Sequence, residues 1–241
     1  MAFSLFKKKK ITSFLTTDVH SHLLPGIDDG VKSFDESISI IQELQALGLK
    51  KIITTPHIIA DYYPNTPEII RGKLQELRQI LTDENMDIQV EAAAEYQIDE
   101  GFMAMLESGQ ELLTFGEGFV LVETPFLNKP LFIDEALFKL KSLGYHPVLA
   151  HPERYIYLQE DYAEIKTLID SNIHLQISLG SLAGYYSHKA RKLAQYLIDH
   201  QWISFIGSDI HHSRHLEAYK KAHSSKYFEK CRQLFLYNNT L

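Results

Sequence analysis

Seven times along the chain an apolar run rich in β-branched residues gives way to a segment with helical spacing. That alternation restricts the fold more than any other feature of the sequence. The first run ends near His20, and the others are KIITTPH, IQVEAAAEY, FVLVETP, PVLAHPE, HLQISLG and WISFIGSD. They are almost continuously apolar, as strands covered on both faces are, so they predict a parallel sheet under helices. Ser33 and Glu36 form an S-x-x-E capping box ahead of FDESISIIQELQAL, which stops at Gly48, and Thr66-Pro67 opens a second helix through about Leu81. Further helices are expected near 99–107, 131–143, 161–170, 187–199 and, after a mixed segment, 226–237. No linker or composition break divides the chain, so we read residues 14–241 as one α/β domain behind a basic tail, residues 1–13. The expected architecture is a closed, distorted seven-stranded barrel, favoured over an open doubly wound sheet.

Ligand-type residues fall at the ends of these runs. His20 and His22 stand at i and i+2 of an extended segment, so both imidazoles can face one point, where a metal ion is the natural occupant. His57, Glu95, Glu123, His151, Asp209 and His211 each lie at or just beyond the end of a later run. In a parallel barrel all strand C-termini share one face, so these eight residues should converge there. Taken singly, Glu95 or Glu123 has a salt bridge as its alternative, and His57 or His151 a hydrogen-bonded place in the core. Four such coincidences are a weaker account than a metal centre. Five histidines and three carboxylates exceed what one ion needs, which implies two or three divalent ions. A nitrogen and oxygen set without thiolate suits manganese, iron or zinc.

The motifs DVHSH, GIDDG, TTPH, AAAE, LVE, AHPERY and SDIHH, in this order over nearly the whole chain, resemble the polymerase and histidinol phosphatase (PHP) superfamily. The closer similarity is to metal-dependent protein tyrosine phosphatases of bacterial capsule and exopolysaccharide systems. That resemblance implies a PHP-type barrel, usually with three metal ions, manganese foremost. It carries across as ligands His20, His22, Asp29, His57, Glu95, Glu123, His151, Asp209 and His211, and leaves Asp28 to orient the loop or a ligand. It also implies that Arg154 contacts substrate phosphate, with Arg214 in HHSRH the nearest candidate for a second arginine, at shorter spacing than the pattern expects. The implied reaction is in-line attack of metal-activated hydroxide on phosphotyrosine, the target being a tyrosine kinase that controls polysaccharide export.

Composition narrows the rivals. A net charge of −7 disfavours nucleic acid as a partner, a single cysteine makes an internal disulfide impossible, and no run reaches the roughly 20 apolar residues that span a bilayer. A cytoplasmic protein is therefore expected, with Lys7 to Lys10 as the one candidate for weak membrane-surface contact. Cys231 sits in helical YFEKCRQLFLY with Arg232 beside it, unlike the nucleophile of a cysteine phosphatase. A histidinol-phosphate phosphatase, or a metal-binding regulatory module without turnover, remains as an alternative. Tyr62, Tyr63, Tyr185 and Tyr186 are candidates for an aromatic substrate groove or for ordinary loop packing.

Overall fold

Two of the seven runs are broken. In the computed structural model, which describes residues 12–241, the strands are β1 (Thr17–Asp18), β2 (Lys51–Thr54), β3 (His57–Ile58), β4 (Gln89–Ala92), β5 (Glu95–Gln97), β6 (Phe119–Glu123), β7 (His146–Ala150), β8 (His174–Ser178) and β9 (Phe205–Gly207). The second run becomes β2 and β3, and the third becomes β4 and β5. Pro56 lies at the first break and has no N–H to donate, so the ladder stops there, although its carbonyl still accepts from Glu95 N at 3.1 Å. The expected seven strands are therefore nine among the described residues, in two parallel sheets ordered β1-β2-β4 and β3-β5-β6-β7-β8-β9. A parallel bridge between Ser21 and Ile210 joins the segments that follow β1 and β9.

The helices are α1 (Phe34–Ala46), α2 (Pro67–Asp83), α3 (Glu100–Ser108), α4 (Ile133–Ser142), α5 (Ile156–Glu160), α6 (Tyr162–Asp170), α7 (Leu179–Leu182), α8 (His188–Asp199), α9 (Ser213–Ala222) and α10 (Lys226–Cys231). Ser33 caps α1 by accepting from Glu36 N, and the Glu36 carboxylate returns to Lys32 N at 3.0 Å, one residue outside the usual box. The segment read as mixed contains α9, whose N-cap residue His212 makes no side-chain cap bond and so gave no start signal. The last helix ends six residues earlier than expected. Beyond it buried Asn238 bonds Ile206 N and O and Thr17 O, which draws the chain along β9 and β1 instead of letting the helix continue.

Apart from β4 and the first residues of β2, β7 and β8, strand residues are mostly buried on both faces, as the apolar runs predicted. Val120, Val122 and Leu149 pack under the helices, while their neighbours Leu121, Val148 and Ala150 join Val19, Ile53, Ala93 and Phe205 in a smaller inner cluster. All strand C-termini point one way, toward the ligand-type residues. Lys7 to Lys10 and most of the basic tail lie outside the described residues. None of the described helices is long and apolar enough to cross a membrane.

Candidate metal centre

All nine residues proposed from the sequence as ligands meet beyond the strand ends. Their donor atoms fall into four overlapping groups, each with its members within 4.8 Å of one another: His22, Asp29, His57 and His211; His20, His22 and Glu95; His20, His151 and Asp209; His57, Glu95 and Glu123. Glu95 is the hub, with His20 Nε2 and His151 Nε2 at 3.1 Å and His22 Nε2 and His57 Nδ1 at 3.3 Å. His20, His22, Glu95, His151 and Asp209 are fully buried. Asp29 is the exposed member, reaching His57 Nε2 and His211 Nε2 from the loop after the first run.

The backbone is shaped for this convergence. His151 (φ 34°) and Asp209 (φ 54°) occupy the left-handed region that non-glycine residues seldom enter, and each turns the chain abruptly where its strand ends. Two glycines allow close approach. A β-carbon on Gly30 would stand 2.3 Å from His22 O, and one on Gly207 would stand 2.6 Å from His20 Cβ.

Hydrogen bonds around the ring fix what the histidines offer. His20 Nδ1 meets Gln176 Oε1 at 2.8 Å and His22 Nδ1 meets the Asp28 carboxylate at 2.8 Å; both partners only accept, so both Nδ1 atoms carry hydrogen. In the neutral rings the two Nε2 lone pairs then face each other at 3.2 Å. Such a pair needs a cation or a proton between or beside it. His211 Nδ1 likewise donates to Asp209 O and leaves Nε2 toward Asp29. Among the described residues, buried Asp209 Oδ1 and His57 Nδ1 have charged neighbours but no partner in hydrogen-bond geometry. The donor set therefore fits divalent cations.

The electrostatics agree. Burial opposes charge on His20 and His22, yet Glu95 and Asp209 around the first and Asp28 and Glu95 around the second raise both above the usual histidine value. His57 and His151 are lowered to about 4, by burial first. Burial and then the Glu95 charge push Glu123 well up, whereas His20 and His57 outweigh burial and hold Glu95 well down. Uncompensated burial of an ion costs several kcal/mol, so carboxylates and histidines this dense and dry constitute a cation trap.

Arg154 stands at the edge of the cluster. Its Nη1 is 2.6 Å from Asp209 Oδ2, and the guanidinium lies between Phe126 and Tyr186, 4.5 and 4.2 Å from their ring centres. The Tyr186 hydroxyl donates to the same Asp209 oxygen at 2.7 Å. A cavity of about 280 Å³ opens over the cluster, lined also by Arg154, Tyr62, Tyr63 and Phe126. Arg214 is not brought there: it is exposed near the start of α9 and lines a separate depression with Tyr185 and Glu217. Cys231 is buried in α10, and burial pushes its thiol up to about 12. Sequence reasoning missed Gln176, whose signal was an amide inside an apolar strand. It also missed Asp18, which holds Ser208 N at 2.8 Å and Ser208 Oγ at 2.6 Å and so ties the first run to the seventh.

The family model for capsular polysaccharide synthesis, CpsB/CapC, matches residues 16–240. The tyrosine-protein phosphatase YwqE of Bacillus subtilis is 30% identical over 194 residues, covering 80% of this chain and 76% of the relative. The tyrosine-protein phosphatase CpsB of Streptococcus agalactiae is 26% identical over 231 residues, covering 92% of this chain and 95% of the relative. Among solved structures, a chain from the work on YwqE of Bacillus subtilis and CpsB of Streptococcus pneumoniae, described as unique metal-dependent tyrosine phosphatases, superposes with a TM-score of 0.77 at 28% identity. That match covers 93% of this chain and 96% of the other.

Proposed function

The chain belongs to the capsular polysaccharide synthesis CpsB/CapC family, and on that footing we propose that it is a metal-dependent phosphatase acting on phosphotyrosine in proteins. The observation that carries the reading is the facing pair His20 and His22, with tautomers fixed from behind and Glu95 against both Nε2 atoms, beside a guanidinium at the cavity wall. His20, His22, Asp29, His57, Glu95, Glu123, His151, Asp209 and His211 would hold two or three divalent ions, manganese first. Bound there, such ions supply Lewis-acid charge for phosphoryl oxygens and lower the pKa of water at neutral pH.

The protein's own residues do the remainder. Gln176 and Asp28 hold the imidazoles in register. Arg154, kept in place by Asp209 and two aromatic faces, presents its remaining N–H groups to phosphate oxygens as charge develops on them. Phe126, Tyr62 and Tyr63 line the cavity and offer flat surfaces to a phenol ring. The nine strands, taken as seven runs with the Ser21 to Ile210 bridge joining the first to the last, we read as a distorted PHP barrel. The substrate we infer is a tyrosine kinase of the polysaccharide export system.

The test is a panel of phosphotyrosine peptide, phosphoserine peptide and histidinol phosphate at equal manganese loading. Phosphotyrosine peptide should give the highest kcat/KM, chelator should abolish turnover, and manganese should restore it. Preference for histidinol phosphate would reverse the substrate assignment. Full turnover by demonstrably metal-free protein would overturn the metal reading.

A further inference from the structure

The cavity over the cluster does not stand alone. It shares Phe126 and Arg154 with a groove of about 480 Å³, and that groove shares His188 with a third depression of about 390 Å³. The three depressions adjoin in series, from the candidate catalytic centre along the first two turns of α8, and together form a track. Its far end is lined by His188, Arg191, Lys192, Gln195, Lys226 and Tyr227, without a carboxylate. Positions 188, 191, 192 and 195 are i, i+3, i+4 and i+7 of one helix, so they make one face, and Lys226 at the start of α10 closes it from the other side. The first turn of α8 holds no acidic residue, so the positive end of the helix adds to the same field. Asp199, at the other end of α8, is taken by Lys230 at 2.6 Å and by the Tyr227 hydroxyl at 3.1 Å.

On a chain of net charge −7 such a concentration of cations marks a place where a negative ligand is wanted. Resting on the phosphatase reading, we propose that this track binds the polypeptide flanking the phosphotyrosine and that its basic end selects an anionic side chain on that same polypeptide. The apolar middle of the groove, between Phe126, Ile156 and Ala190, suits an extended backbone with small or apolar side chains. Arg191, Lys192 and Lys226 then meet a carboxylate or a second phosphate. They touch nothing that reacts, so they set KM and leave kcat alone.

Three phosphotyrosine peptides separate the outcomes: one with neutral flanks, one with Asp or Glu placed in turn at successive flanking positions, and one with a second phosphotyrosine. They are assayed with manganese-loaded wild-type protein and with Arg191→Glu/Lys192→Glu, Arg191→Gln/Lys192→Gln and Lys226→Glu. An anionic flank should lower KM by roughly tenfold at low salt, and the double charge reversal should remove that gain. The glutamine pair should fall between. Hydrolysis of the neutral peptide and of a small aryl phosphate should stay unchanged in every variant. The Asp/Glu and double-phosphate arms tell which anion is selected. Equal KM for neutral and anionic peptides in the wild type would overturn the proposal while leaving the phosphatase reading standing, whereas no turnover of any peptide would remove that reading itself. Unchanged peptide kinetics with lost binding to anionic phospholipid vesicles in the charge-reversed variant would assign the patch to a membrane and also overturn it.

Discussion

Strand β7 carries a histidine at each end, and the two have opposite fates. His146 opens the strand, lies exposed, and has its ring 5.5 Å from that of Phe119. His151 follows the strand's last residue, is buried, and points Nε2 at Glu95 from 3.1 Å. The neighbours repeat the contrast. β6 begins at Phe119 and ends at Glu123, while β8 begins at His174, which meets Ser204 Oγ and the rings of Phe119 and Tyr237. Around the N-terminal ends lies a cavity of about 690 Å³ lined by Phe119, His146, His174 and Tyr237, together with the Lys51 to Glu91 ion pair. It is more than twice the size of the cavity over the metal-ligand candidates. Volume therefore does not locate the chemistry here. What distinguishes the C-terminal end is buried carboxylate against imidazoles whose tautomers are set from behind.

The sharpest way to break the comparison is to remove one group from each end. Glu95→Ala should lose metal and cut kcat by roughly a thousandfold or more, since it takes the shared carboxylate from four histidines. His146→Ala should keep turnover within about twofold, because it lies at the opposite end of its strand from the proposed ligands. Similar losses for the two, measured on protein of known metal content, would erase the distinction. Arg154→Lys comes next, with kcat/KM falling about a hundredfold and metal content intact, because the ammonium keeps the charge but loses the planar fork.

Smaller effects test the supports. Asp28→Asn or Gln176→Leu should weaken metal affinity by about 10 to 100-fold, read by titration against a chelating dye, with fold and thermal midpoint little altered. At the N-terminal end the effect is on stability alone. Burial, and then the charge of His146, lower the His174 pKa below its unfolded value. The folded state therefore disfavours the protonated ring. Its contribution is complete above about pH 6.5 and is lost as pH falls through the depressed folded value. His174→Gln should flatten the fall in Tm between pH 7 and 5 by up to about 2 °C, without touching activity above pH 7.

Much of this was legible because the same residues serve fold and site. Apolar runs such as FVLVE and PVLA marked buried strands, and the polar residue that ends each one stood out against them. Glu95 and Glu123 were visible because a carboxylate after EAAA or FVLV has no cheap place in a core. Pro56 was equally visible, but its effect on the ladder depends on which neighbour needed its missing N–H, which is a tertiary fact. The left-handed turns at His151 and Asp209 left only a faint sign, for histidine and aspartate enter that region more often than most residues but still seldom. Arg214 follows the last histidine motif closely enough to suggest a shared site, yet α9 begins at Ser213 and carries it to the exposed side. Gln176 was hidden because one amide in a strand is as readily a local hydrogen-bonding residue as the partner of a histidine 156 positions away.

The bridge between Ser21 and Ile210, with Asp18 bound to Ser208, means that segments 190 residues apart finish the same structure. The ribosome makes His20 and His22 long before Asp209 and His211. A nascent chain lacking them has an open seam where the segment after β1 should meet the segment after β9, and its ligand cluster is incomplete. Contacts of such long sequence separation also form slowly. The full set of candidate ligands is thus assembled only after the segment beyond β9 has joined the segment beyond β1.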